Sequence, residues 1–89
     1  MTGMTMKISG GEVLKISSFY EELINLENKT GHLVIYSELG KNTIATLKRR
    51  GTKITKKDFK NIFWEVMKTG LIFVPKKGFV IRTSNWGHR

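Results

Sequence analysis

Between Thr55 and Gly70 the chain spells out one amphipathic helix, and any fold that contains it must cover one face of that helix and leave the other in water. Thr55 followed three residues later by Asp58 has the spacing of a capping box. Phe59, Ile62, Phe63, Val66 and Met67 then fill the i, i+3, i+4, i+7, i+8 positions of an apolar stripe. The spacing predicts a helix over Lys56–Thr69, ended by Gly70. At about 100° per residue, Lys57, Lys60, Asn61, Trp64 and Lys68 fall on the opposite face.

The rest of the chain must supply the partners for that stripe. Ser18 and Glu21 read as a second capping box, and Phe19, Tyr20, Leu23, Ile24 and Leu26 recur at helical spacing, so a first helix is expected to run to about Lys29 and stop at Gly31. Its outward residues, Glu21, Glu22, Asn25 and Asn28, are acidic or neutral. His32–Tyr36 is apolar and β-branched, the pattern of a short strand. Asn42 can cap a helix from Thr43 to Arg50, with Ile44, Ala45 and Leu47 inward and Gly51 as its left-handed cap. The alternative is a strand, because Thr43, Ile44 and Thr46 are β-branched. Leu71–Val74, the turn Pro75-Lys76-Lys77-Gly78 and Phe79–Thr83 read as a β-hairpin. Met6–Ser9 and Glu12–Ser17, flanking Gly10-Gly11, read as a short N-terminal hairpin. No repeat or linker divides the chain, so residues 1–89 are expected to form a single α+β domain, with loose termini at 1–5 and 84–89.

Charge is divided unevenly along this domain. The formal net charge is +9, yet residues 1–45 hold four lysines against five glutamates, whereas residues 46–89 hold twelve basic residues against Asp58 and Glu65. Like charge at this density repels itself in a compact state, and a polyanion relieves the repulsion. The bases form three groups: Lys48, Arg49, Arg50 and Lys53; Lys57, Lys60 and Lys68; and Lys76, Lys77 and Arg82. Lysine contributes sequence-independent affinity for phosphates, and arginine's planar fork binds them bidentately. Asn61 is a residue type that pairs with adenine in a major groove, and Trp64 either stacks on a base or sugar or packs beneath a neighbouring loop. A merely solvated basic surface is the alternative, and it must account for each of the three groups separately.

Other classes find little support. Without cysteine there is no disulfide framework, thiolate zinc site or cysteine nucleophile, and a cytoplasmic, nucleoid-associated protein is the default expectation. Leu33–Tyr36 and Leu71–Val74 fall far short of the roughly 20 apolar residues of a membrane span, and the N-terminal residues do not read as a signal peptide. In the basic half the only acids are Asp58, spent on a helix cap, and Glu65; His32 and His88 have no evident partner for acid–base work. No enzyme, metal or cofactor is therefore expected.

The order helix, strand, helix, turn, helix, two-stranded hairpin resembles that of a winged helix-turn-helix domain. Phe63–Phe79 is similar to the junction between recognition helix and wing in that family, and its run Gly70-Leu71-Ile72-Phe73-Val74-Pro75-Lys76-Lys77-Gly78-Phe79 resembles in particular the winged helix that closes archaeal minichromosome-maintenance helicases. The similarity covers a little under half of the chain. It implies Lys57, Lys60, Asn61 and Trp64 on a recognition helix and Lys76 and Lys77 on a wing. Met6–Ser17 has no place in that pattern, and the residues before Asn42 start a second helix poorly. The resulting expectation is a non-catalytic DNA-binding protein serving replication, transcription or chromatin. The alternatives are an RNA-binding ribosomal or ribonucleoprotein component, whose contacts would go to phosphates and loops, and an adaptor that docks on a polymerase or helicase through the first helix.

Overall fold

The computed structural model describes residues 10–85. Three helices pack around one core, and a small antiparallel sheet closes it: α1 (Gly10–Thr30), β1 (Val34–Ile35), α2 (Tyr36–Arg49), α3 (Lys56–Lys68), β2 (Ile72–Phe73) and β3 (Phe79–Arg82), followed by a 3-10 turn at Thr83–Asn85. The sheet order is β1-β3-β2, with Val34 opposite Val80 and Phe73 opposite Ile81. The α+β expectation holds at this level, and the layout is compatible with a winged helix.

α3 forms as its sequence requires. Thr55 Oγ1 accepts from the Asp58 backbone N–H at 3.1 Å, while the Asp58 carboxylate accepts from the Thr55 N–H at 3.0 Å. Phe59, Ile62, Phe63 and Val66 are buried and Met67 packs against them. Their partners come from α1 (Phe19, Leu23, Leu26), α2 (Leu39, Leu47) and the sheet (Val34, Ile72, Val80). Each such side chain contributes about 1.5–3 kcal/mol on burial. Phe19 stacks on Phe59 with ring centroids 5.8 Å apart, and Tyr36 meets Phe63 edge-on at 4.8 Å.

Four expectations are corrected. Glu12–Ser17 is helical, not a strand, because Leu14 falls on the same helical face as Ser18 and packs on the core; Met6–Ser9 lies outside the described residues. Ser18 consequently lies in mid-helix with no exposure and caps nothing. Residues 43–50 are helical, but α2 begins at Tyr36, so its buried face is Leu39, Thr43, Thr46 and Leu47, while Ile44 is half-buried and Ala45 exposed. Ser84 and Asn85, expected in a loose tail, belong to the 3-10 turn.

The α2–α3 turn has the bonding of a Schellman cap: Thr52 N–H donates to Leu47 O at 2.8 Å and Gly51 N–H to Lys48 O at 3.1 Å, with Gly51 at φ +88°. A side chain at that φ is strained, so glycine sets where α2 stops and α3 begins.

Candidate nucleic-acid interface

The fold fixes which cations are free. With the apolar stripe of α3 buried, Lys57, Lys60, Trp64 and Lys68 all lie on its exposed side, and Trp64 keeps 52% of its surface. Trp64 is therefore half exposed, not buried beneath a neighbouring loop. Lys57 and Lys60 make no salt bridge among the described residues, and Lys68 makes an exposed 3.5 Å contact with Glu65. Such an exposed i, i+3 pair is worth little and yields readily to a phosphate.

Asn61 is also exposed, but its surroundings are acidic. It lines a cleft between α1 and α3 with Glu12, Asp58 and Glu65, where Lys15 is the one cation. Asp58 is held below the ordinary carboxylate range, first by the hydrogen bond from the Thr55 backbone N–H and then by the Thr55 side chain, with weaker help from Lys15 and Lys57. It stays anionic beside Asn61.

The remaining candidates divide into free and engaged. Lys48 and Lys53 are exposed and make no salt bridge among the described residues, and the same holds for Lys76 and Lys77 at the hairpin turn, where Lys76 Nζ lies 4.9 Å from the centre of the Phe79 ring. Arg49 is exposed but donates to Thr46 Oγ1 at 3.1 Å. Arg50 is bound to α1, with Nη2 2.7 Å from Glu21 Oε1 and Nη1 donating to Ser18 Oγ at 2.9 Å. Arg82 is bound more tightly still, to the buried Glu27. Two of the three arginines expected to contact phosphate, Arg50 and Arg82, thus tie α2 and β3 to α1, and among the described residues the unengaged cations are lysines. The sequence could not show this, since Arg50 and Ser18 are 32 residues apart and Arg82 and Glu27 are 55 apart.

Sequence reasoning passed over two further lysines. Lys41 and Lys56 stand with Lys48 around a groove between α2 and α3. Had α2 been started at Tyr36, Lys41 and Lys48 would have fallen seven residues apart on one helix face.

Among the described residues no group of three or more His, Cys, Asp or Glu side chains could hold a metal ion, and His32 is exposed. His88 lies outside them. No helix among the described residues is long and apolar enough to cross a membrane. Comparison of the chain with protein-family models, with curated proteins and with solved structures gives no match.

Proposed function

We propose that this chain is a non-catalytic nucleic-acid-binding domain of winged helix-turn-helix type, acting on duplex DNA as an accessory or architectural factor. The observation that carries the reading is the segregation on α3, where a fully apolar face is buried and Lys57, Lys60, Trp64 and Lys68 share the exposed side. Lys53 in the preceding turn and Lys76 and Lys77 at the hairpin tip add exposed cations from two other segments. The order β1-β3-β2, with a hairpin following α3, supports the winged layout.

Because the unengaged cations are lysines and Asn61 sits among carboxylates, the contacts made are to phosphates and not to base edges. Binding is accordingly insensitive to sequence. Sequencing the nucleic acid that copurifies with the full chain tests this. Dispersed genomic DNA supports it, whereas a single enriched RNA species replaces it with a ribonucleoprotein role.

A further inference from the structure

The exposed side of α2 and the start of α3 enclose a groove of about 760 Å³, and of its lining residues only Lys48 is among the candidate phosphate contacts. Tyr36, Gly40, Ile44 and Phe59 supply apolar surface within it. Lys41, Lys48 and Lys56, all exposed, surround it, and no carboxylate is among its lining residues. Tyr36 and Lys48 are twelve residues apart on one helix, so the groove follows α2 for about 18 Å, a little over three helical turns.

We propose that this groove docks an acidic amphipathic helix of a partner protein. Apolar side chains spaced i, i+3 or i+4, and i+7 enter the groove, and flanking Asp or Glu residues meet Lys41 and Lys48 on one wall and Lys56 on the other. Charge complementarity selects this occupant: an apolar trough with ammonium groups on both sides and no acid fits an anionic helix and repels a basic one. A nucleobase fits less well, because the lining lysines only donate and the hydroxyls of Tyr36 and Ser37 are the only side-chain acceptors for its N–H groups. A second copy of this chain fits poorly, because the carboxylates its α1 would bring are engaged, Glu21 with Arg50, Glu22 with Thr46 and Glu27 with Arg82.

The test uses the full chain and a small panel of fluorescein-labelled synthetic peptides, each about four helical turns long, with leucines at the stated spacings and glutamates flanking them. Anisotropy titration is expected to give micromolar binding by at least one of them, at least tenfold weaker for a scrambled peptide of the same composition. Ala45→Glu, at an exposed helical position that tolerates glutamate, and Lys41→Glu are each expected to weaken the peptide at least tenfold while leaving affinity for a short duplex within twofold. Circular dichroism establishes that both variants are folded. The proposal is overturned if no peptide binds below millimolar concentration, if scrambled and patterned peptides bind alike, or if Ala45→Glu weakens the duplex as much as the peptide. The last result would assign the groove to nucleic acid.

Discussion

The Arg82 guanidinium grips the Glu27 carboxylate along its whole edge, with Nη2 2.8 Å from Oε1 and Nε 2.9 Å from Oε2, and Asn85 Nδ2 adds a bond of 3.1 Å to Oε2. The contact fastens the last strand and the 3-10 turn to α1. Hydrogen bonding to Glu27 raises the pKa of Arg82 further, so the ion pair persists wherever Glu27 is ionised.

Arg82→Ala should therefore act on stability. It leaves a carboxylate whose side chain is only 6% exposed with Asn85 as its main partner, and removing one member of a buried pair costs about 2–4 kcal/mol. Urea unfolding measures the loss. In the folded fraction the salt dependence of nucleic-acid binding should be unchanged; a slope reduced by a full contact would show that Arg82 touches phosphate.

The cap of α3 makes stability depend on acid. The carboxylate of Asp58 titrates below its ordinary range in the folded chain, so the stabilisation it gives is complete at neutral pH and is lost as pH falls through that depressed value, below about pH 4. Thr55→Ala should cost about 1 kcal/mol at pH 7, the scale of an N-cap. It should also flatten the acid limb of a plot of stability against pH in part, because it removes the Thr55 hydroxyl, the second cause of the shift, and leaves the backbone N–H that is the first. An unchanged acid limb in the variant would refute the assignment.

The start of α2 shows why part of the fold was illegible in the sequence. Its N-cap, Ile35, makes no side-chain capping bond, and the first helical N–H, that of Tyr36, donates instead to Gly78 O at 2.9 Å. The helix thus begins on a hairpin more than forty residues away, and no local pattern announces it. α3 is the opposite case, since Thr55, Asp58 and the stripe are all local. In the interface, the same distinction separates the α3 lysines, placed by periodicity, from Arg50 and Arg82, which distant acids of α1 capture.

Gly40 looks like a helix breaker for a related reason. A Cβ there would lie 3.1 Å from Phe59 Cε2, and that ring is confined by Phe19, Tyr36 and Phe63. Alanine gains about 1 kcal/mol of helix propensity but overpacks the core by about 1–3 kcal/mol. Gly40→Ala should accordingly lower stability, by up to about 2 kcal/mol in a thermal or urea melt. A more stable variant would mean that Phe59 has room to move.

Salt dependence measures the proposed interface directly. With about five or six phosphate contacts, log affinity for duplex DNA should fall against log salt with a slope near −0.9 per contact. Lys76→Ala with Lys77→Ala should reduce affinity for all sequences equally and the slope by up to about one per lysine. A flat salt response of the parent chain would remove the electrostatic account altogether.

Trp64 and Asn61, three residues apart on α3, should respond differently to truncation. Trp64 is half exposed beside Lys57, Lys60 and Lys68, so Trp64→Ala should leave the melting curve intact and weaken binding to duplex DNA by less than the about 1–3 kcal/mol that stacking on an unpaired base supplies. In a Trp86→Phe background, the fluorescence of Trp64 should change on adding nucleic acid. Asn61, flanked by Asp58 and Glu65 on α3 in the cleft that Glu12 of α1 also lines, should behave as a bystander, with Asn61→Ala changing affinity by less than about 0.5 kcal/mol on any sequence. A loss of 1–3 kcal/mol confined to one preferred site would instead be the mark of an amide reading a base edge. In that event the acidic cleft must open on binding, and the domain discriminates between sequences.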